Sequence, residues 1–251
     1  MDRTTLILAA ATVALALGPA PAFAQNTIVN GIDNNTPFAI VGPDGKASGF
    51  DVEALEWIGS KAGFTVEHRP VVWDTIVQSL MDKEIDVIAS GFSRTAERAE
   101  QIALTEPYWT IKDVLVVKND SALSQEELLT GGHSIAVKKG APEAVGMETS
   151  NGKDGRKFTL STFESFDQAV ADVIGGRIDA VVMNEPTAVF IASGQDVKIA
   201  GDAGLPVEEY VFAVNKDNPE LLAKLNEGLT ALKADPFWQT LQDKYLHGEV
   251  R

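Results

Sequence analysis

The sequence predicts an α/β protein made of two similar halves and a helical tail. Short apolar segments typical of buried strands alternate with amphipathic, helix-like segments. This alternation occurs once up to residue 111 and again over residues 112–207. Two pairs of an N-cap residue and a proline, at residues 218–219 and 235–236, then start two C-terminal helices. We therefore expect each half to be a doubly wound sheet.

The first half follows a β-α-β-α-β pattern. The predicted strands cover residues 27–31, 64–71 and 85–89. Between the first two, a helix over residues 51–62 has its apolar side chains on one face and ends at Gly63. A second helix is predicted to start at the N-cap Asp74 and to run to residue 83.

The second half repeats the alternation. Its predicted strands cover residues 111–118, 134–137, 158–160, 178–183 and 197–200, and one further strand, at residues 210–214, follows this half. Ser124 begins a capping-box pattern, and Ser165 is the N-cap of a later helix. Pro142 and Pro186 lie where the first turn of a helix tolerates proline. Helices are therefore expected between the strands.

The clearest binding signal follows the strand at residues 85–89. Ser90 and Gly91 interrupt the apolar run, and Ser93 follows shortly after. Arg98 lies in the first turn of the next helix, where the helix dipole disfavours a cation. Ligands of open α/β sheets bind at the carboxyl ends of strands, and arginine can hold a carboxylate with two parallel hydrogen bonds. We expect a ligand here; the alternative is an Arg98 that pairs with a neighbouring glutamate at the surface.

Residues 86–98 match the pattern D-x-I-x-(S/A)-(S/G)-x-(S/T)-x-T-x-x-R, and an aromatic segment follows at 104–108. Together with shorter matches at 49–51, 73–74 and 176–180, this ordered set resembles the solute-binding proteins of amino-acid ABC transporters, family 3. The resemblance implies the two-lobed periplasmic-binding-protein fold (type II), in which two strands form the hinge and the tail returns to the first lobe.

The resemblance also implies lobe boundaries. Residues 25–111 and 208–251 would form the first lobe, and residues 112–207 the second. The chain would cross between the lobes near residues 109–113 and again near 206–210. Hinge closure around a ligand is the motion that such crossings allow.

By position, the resemblance places a set of residues around a ligand between the lobes. These are Asp33, Thr36, Trp73, Ser90, Gly91, Ser93, Arg98, Ala141, Pro142, Asn184 and Glu185. Asp33 matches a position that meets a cationic side chain in binders of basic amino acids; the alternative is a turn aspartate. Trp73 would offer an aromatic face to the ligand, unless it simply packs in the core.

Two positions depart from the family's pattern. Pro142 has neither the amide N–H nor the hydroxyl that the family uses there to hold a carboxylate. Asn184 stands where the family has an aspartate for the α-ammonium, and asparagine cannot neutralise that charge. Either Glu185 substitutes for this aspartate, or the ligand is not a simple α-amino acid.

Charge and composition narrow the function classes. The formal net charge is −15, which disfavours binding to nucleic acid and to anionic membranes. The sequence has no cysteine and three scattered histidines, so we expect neither a transition-metal site nor a cofactor. We further expect a monomer.

Residues 1–24 have the features of a signal peptide. A basic residue, Arg3, precedes the apolar run 6–17, and Ala22-Phe23-Ala24 is a small-x-small cleavage site. The run is too short to span a bilayer. Because no cysteine is available for a lipid anchor, we expect a protein free in the periplasm.

The expected function is capture of a small carboxylate-bearing solute for delivery to a membrane ABC permease. An amino acid or a derivative is favoured, and Asp33 tilts this towards a cationic one. An enzyme resembling the cyclohexadienyl dehydratases, with Glu185 as its acid, is one alternative. The others are a binder of a carboxylate that is not an amino acid, and a ligand-loaded partner of a membrane sensor.

Overall fold

The computed structural model describes residues 26–246, so the predicted signal peptide lies outside the described residues. The strands, in chain order, are β1 (Asn26–Ile32), β2 (Ile40–Val41), β3 (Ala47–Ser48), β4 (Phe64–Pro70), β5 (Val87–Ser93), β6 (Ala103–Leu104), β7 (Trp109–Ile111), β8 (Asp113–Lys118), β9 (Ser134–Lys138), β10 (Thr159–Phe163), β11 (Ala180–Asn184), β12 (Val197–Asp202) and β13 (Glu208–Val214). The helices are α1 (Phe50–Ala62), α2 (Ile76–Met81), α3 (Ala96–Gln101), α4 (Gln125–Thr130), α5 (Pro142–Ser150), α6 (Phe166–Ile174), α7 (Glu185–Gly194), α8 (Pro219–Ala234) and α9 (Pro236–Tyr245).

The first lobe is a sheet built from both ends of the described chain. Its strand order is β4-β1-β5-β13-β6, and β7 also pairs with β13. Strand β1 runs parallel to β4 and β5, whereas β13 runs antiparallel to β5, β6 and β7. Helices α1, α8 and α9 cover one face, where Leu55 and Ile58 share a core with Leu225 and Leu229. Helix α2 covers the other face and buries its residue Ile76 there.

The second lobe is a sheet of order β10-β9-β11-β8-β12. Strands β10, β9 and β11 are parallel, and β8 runs antiparallel to both of its neighbours, β11 and β12. Phe166 of α6 and Ile191 of α7 pack on one face. Leu128 of α4 and Met147 of α5 pack on the other. Both lobes are therefore sheets with helices on both faces, as the sequence predicts.

The chain passes between the sheets at two places. One passage is the single residue Lys112 between β7 and β8, and the other lies between β12 and β13. The two passages are neighbours, because Glu208 of β13 pairs in register with Ile111 of β7. As a result, Asp113 and Glu208, each the first residue of its strand, lie close together at the junction of the lobes.

Local signals predicted most element boundaries, with two corrections. Thr95, Ser124, Ser165, Asn218 and Asp235 are N-caps whose side chains accept backbone N–H bonds. By contrast, the predicted cap Asp74 lies within a 3₁₀ turn and bonds to no helix N–H; its carboxylate pairs with Lys139 instead. Strand β5 also continues to Ser93 rather than ending at Ala89, because Phe92 and Ser93 pair with β13.

Within the described residues, no helix combines the length and the apolar character that crossing a bilayer requires.

Candidate functional site

A small, partly open cavity lies where the two lobes meet. Both lobes and both chain crossings contribute to its wall. Of the residues predicted for the site, the wall includes Trp73, Gly91, Ser93, Ala141, Pro142 and Asn184. Asp33, Thr36, Ser90, Arg98 and Glu185 are not part of the wall. The cavity also has charged wall residues that the sequence did not single out: Asp113, Lys138, Glu143 and Glu208.

The lobes are in contact on both sides of this cavity. Lys139 of the second lobe pairs with Asp74 of the first, with 2.9 Å between Nζ and Oδ2. On another edge, Asn34 donates to Asp167 at 3.1 Å. The structure is therefore a closed form.

Lys138, the last residue of β9, reaches across the cleft to Asp33. The Lys138 Nζ to Asp33 Oδ2 distance is 2.5 Å, and the lysine side chain is only 1% exposed. Its ammonium lies 4.7 Å from the centre of the Trp73 ring and 5.3 Å from that of Phe166. This corrects the expectation for Asp33: the cation that it meets here belongs to the protein, and the Trp73 ring packs against the same ammonium.

Three carboxyl groups face the cavity from separate elements. Asp113 begins β8, Glu208 begins β13, and Glu143 lies in the first turn of α5. Their nearest oxygens all lie within 4.8 Å of one another. Burial raises the pKa of Asp113 to about 9 and that of Glu143 to about 8. Repulsion from Glu143 and Glu208 adds to the increase at Asp113, and repulsion from Glu208 adds to the increase at Glu143.

The pKa of Glu208 is raised in the same direction, again mainly by burial. Hydrogen bonding from Ser93 and the charge of Arg98 work against that increase. At neutral pH the cavity wall therefore holds protons on Asp113 and Glu143, and a neutral Asp113 can donate to Glu208.

Several buried polar atoms at the cavity have no hydrogen-bond partner among the described residues. They are Trp73 Nε1, Asp113 Oδ2 and Glu143 Oε1. Each residue is at least nine-tenths buried, with exposures of 6%, 2% and 5%. An unpaired buried polar group is costly, so these atoms mark where a ligand atom would be stabilised.

Arg98 lies beside the cavity. Its Nη1 donates to the carbonyl oxygen of Ser93 at 2.8 Å, and its Nη2 donates to that of Gly140, on the other lobe, at 3.3 Å. The guanidinium also lies 4.0 Å from the centre of the Phe92 ring, and burial lowers its pKa to about 10. Its position is therefore not the surface ion pair considered as the alternative; it connects the two lobes.

The end of β5 is held by a buried carboxylate. Gly91 N–H donates to Asp51 at 2.6 Å, and the Tyr108 hydroxyl donates to the same group. Burial raises the pKa of Asp51 to about 7. Gly91 has a φ of 63°, and a Cβ there would lie 2.3 Å from Asn35 Nδ2, so only glycine fits at this point of the wall.

The Ser90 hydroxyl does not face the cavity. It bonds to the backbone N–H and carbonyl of Asp33, both at 3.1 Å. The carbonyl oxygens of Ser90 and Gly91 both accept from the Asn35 amide. The Ser90 hydroxyl therefore shapes the site rather than lining it.

On the second lobe, Asn184 lines the cavity and also caps a helix. Its Oδ1 accepts the Thr187 N–H at 3.0 Å, while its Nδ2 lies 3.5 Å from Asn35 Oδ1. The Thr187 hydroxyl donates to the carbonyl oxygen of Thr36, which holds Thr36 at a separate groove at the edge of the cleft.

Glu185 lies outside the cavity, which is a second correction. Its carboxylate pairs with Lys112 at 3.2 Å, and both side chains are nearly half exposed. It borders a groove on the hinge side together with Pro186 and Val189. Because the first helical residue after Asn184 turns away from the cleft, Glu185 is not placed to neutralise a ligand in this cavity.

The missed residues had weak signals in the sequence. Lys138 follows the apolar run 135–137 of a buried strand, and Asp113 precedes a similar run at 114–117. A charge next to a buried run is a sign of a paired or functional group. Glu143 and Glu208 carry no comparable signal, since Glu143 lies in the first turn of a helix and Glu208 is followed by a second glutamate.

The geometry, two lobes closed over a charged cavity, is that of a binding protein. The family model for bacterial extracellular solute-binding proteins, family 3, matches residues 28–248. The chain belongs to this family.

Similar proteins agree with this membership. The probable amino-acid-binding protein YxeM of Bacillus subtilis is 28% identical over 220 residues, which cover 85% of this chain and 81% of YxeM. The structure of a mutant of ArgBP from T. maritima has a TM-score of 0.78 and 30% identity, covering 90% of this chain and 97% of that one. The ancestral amino acid-binding protein AncCDT-1, described as a precursor of cyclohexadienyl dehydratase, has a TM-score of 0.77 and 29% identity, covering 88% and 95%.

Proposed function

We propose that this protein captures an amino acid or a close derivative in the cavity between its lobes and delivers it to a membrane ABC importer from outside the cytoplasm. The observation that carries the proposal is the set of charges around the cavity between the lobes. Three carboxyl groups and Lys138 line the cavity, and Arg98 lies beside it. A small zwitterion is the kind of molecule that such a cavity complements.

The relatives support the class of ligand. YxeM, ArgBP and AncCDT-1 are all named as binders of amino acids or of arginine. From the sequence, Asp33 favours a ligand with a cationic side chain. Since Lys138 already neutralises Asp33, that reason no longer applies, and we propose a ligand with a neutral or anionic side chain at this end of the cavity.

We propose lobes at residues 25–111 with 208–251, and at residues 112–207. The change of sheet between β7 and β8, and between β12 and β13, supports these boundaries. Opening about Lys112 and the segment 203–207 would break the contacts at Lys138, Lys139 and Arg98, and it would expose the cavity to a ligand.

We propose a binder rather than an enzyme. The acid considered for a dehydratase, Glu185, is paired with Lys112 outside the cavity. A binding protein returns its ligand unchanged, whereas a dehydratase turns over prephenate or arogenate.

The test is to release the ligand that copurifies by denaturing the protein and to identify it by mass spectrometry. The released compound and a panel of the 20 standard L-amino acids are then titrated into refolded protein by calorimetry. A copurifying amino acid or derivative that rebinds with one-to-one stoichiometry is the expected result. No binding by any amino acid, or consumption of prephenate or arogenate, would contradict the proposal.

A further inference from the structure

We propose that Asp113, Glu143 and Glu208 together bind a positively charged nitrogen of the ligand, and that they do so in place of a carboxylate at the end of β11. This inference rests on the proposed function, because it names the part of a zwitterionic ligand that these groups hold. The ligand class is therefore a molecule with a primary ammonium or a guanidinium close to a hydrogen-bond acceptor.

The first observation is the position of the three carboxyl groups in the cavity. The end of β11 offers Asn184, whose side-chain oxygen already caps α7, and Glu185 points out of the cleft. Asp113 and Glu208 instead bring one carboxyl group from each chain crossing, and Glu143 adds a third from the second lobe. All three line the same cavity with oxygens within 4.8 Å of one another.

The second observation is that the three carboxyl groups have no counterion among the described residues. Among the described residues, none of the three forms an ion pair within 4.0 Å. The nearest cations are engaged elsewhere: Lys138 is bound to Asp33, and Arg98 donates to two backbone carbonyls. A buried carboxylate without a partner is strongly disfavoured, which is why two of the groups hold protons, and a bound cation would favour their ionised forms.

An independent observation shows that the cation belongs to a ligand that also has an acceptor. The Trp73 indole N–H lines this cavity, is buried, and has no partner among the described residues. An N–H donor needs an acceptor such as a carboxylate oxygen, which a bare metal ion cannot supply. The ligand that satisfies Trp73 and the carboxyl groups at once is a zwitterion.

The chemistry of the three groups also favours nitrogen over a divalent metal ion. An ammonium has three N–H donors, one for each carboxyl group. Calcium takes six to eight oxygen ligands, and the positive charges of Arg98 and Lys138, which act on Glu143, oppose a doubly charged ion. A monovalent nitrogen cation needs fewer ligands and meets half of that repulsion.

The experiment measures amino-acid affinities of Asp113→Asn, Glu143→Gln and Glu208→Gln by calorimetry. These variants keep the shape of each side chain and remove its ability to ionise. Glu185→Gln and Glu209→Gln are the controls, since both lie at exposed ion pairs. We expect each cavity variant to bind the best standard amino acid at least about tenfold more weakly than the native protein, and both controls to bind it within about twofold.

A second arm identifies which nitrogen is bound. The best amino acid is compared with its analogue lacking the α-amino group and, where it has a cationic side chain, with the amino acid whose side-chain nitrogen is acetylated. The native protein should reject one of these analogues, and the cavity variants should discriminate less between that analogue and the parent. Calcium and manganese chlorides are titrated in parallel and should give no binding heat.

The outcomes separate this inference from the proposed function. Amino-acid binding that survives all three cavity substitutions would overturn the inference and leave the binding function intact. If the protein binds calcium or manganese, and amino-acid binding requires that ion, the inference is overturned in favour of a metal site. If the native protein binds no amino acid, the proposed function itself fails, and the inference fails with it.

Discussion

Lys138 and Asp33 form an ion pair across the cleft, with the lysine ammonium 2.5 Å from the carboxylate and nearly out of contact with solvent. The pair joins the last residue of a strand in the second lobe to the loop after β1 in the first. Trp73 and Phe166 flank the ammonium, which adds cation–π attraction. The protein thus provides its own cation at a position that could otherwise receive one from a ligand.

This pair predicts a change in selectivity for Lys138→Met. Methionine keeps the length of the side chain and leaves Asp33 as an unpaired carboxylate beside two aromatic rings. Binding of arginine or lysine should improve by about tenfold or more, since pairing a buried charge is worth at least one decade of affinity. Calorimetry against arginine, lysine and glutamine measures the effect. Lys139→Met is the control, and an equal gain there would show that general loss of positive charge is responsible.

Replacing Arg98 should weaken ligand binding, and a lysine at the same position should not restore it. Arg98→Ala removes the donors to Ser93 and Gly140 and leaves the fold of the first lobe in place. Because Arg98→Ala removes the hydrogen bond that Arg98 makes to the other lobe, ligand binding should weaken by about tenfold, which is about 1.4 kcal/mol. Arg98→Lys should recover little of this loss, because lysine lacks the planar fork.

The matched control is Arg94→Ala, which removes a partly exposed arginine that pairs with Glu209. Affinity and melting temperature are measured for all three variants. Native-like affinity in Arg98→Ala would contradict a role for this residue in binding or closure.

Closure of the lobes is tested by Gly140→Ala. Gly140 has a φ of 73°, and a Cβ there would lie 3.1 Å from the Asp74 Cα of the other lobe. Gly176→Ala is the control, since it has a similar φ of 69° with no atom within 4 Å of its Cβ. Both variants carry similar backbone strain, about 1 kcal/mol. Only Gly140→Ala should weaken ligand binding and reduce the ligand-induced decrease in radius of gyration, as measured by small-angle X-ray scattering.

The three cavity carboxyl groups predict how stability depends on pH. The pKa of Asp113 is raised to about 9 and that of Glu143 to about 8, so the folded protein holds protons that the unfolded chain has already lost. Their contribution is complete in acid, below the usual pKa near 4, and it is lost as the pH rises through 8 and 9. The melting temperature of the ligand-free protein should therefore fall between pH 6 and pH 9.

Asp113→Asn should make this fall shallower, because an amide does not ionise. Asp51, whose pKa is about 7, remains in the variant and accounts for part of the slope that persists. A saturating ligand should also reduce the slope, since a cation in the cavity stabilises the ionised groups. A melting temperature that is flat from pH 6 to pH 9 in ligand-free native protein would contradict this account.

The fold could be predicted because its signals are local. The N-caps at Thr95, Ser124 and Ser165 act within one turn of their own helices, so a short stretch of sequence specifies each of them. Asp74 was misread because its partner, Lys139, is distant in sequence and binds only when the lobes meet. The predicted N-cap gave way to a tertiary ion pair.

The site was only partly predictable for the same reason. Trp73 follows β4, and Gly91 and Ser93 lie at the carboxyl end of β5, where a general rule for α/β sheets places ligands. Asp113, Glu143 and Glu208 come from three elements that meet only in the folded protein, and no spacing in the sequence links them. Glu185 was misplaced by a single residue step, because Asn184 ends a strand and Glu185 starts a helix that leaves the cleft.

The return of the chain to its first sheet has a consequence for the order of folding. Every strand of the second sheet lies between residues 113 and 202, so that sheet can form as soon as this one continuous segment is available. The first core joins Ile28 and Phe64 to Leu225, Leu229 and Leu241. A growing chain therefore completes the second lobe before the first. Truncation of the last helices would leave the first lobe incomplete while the second stays folded.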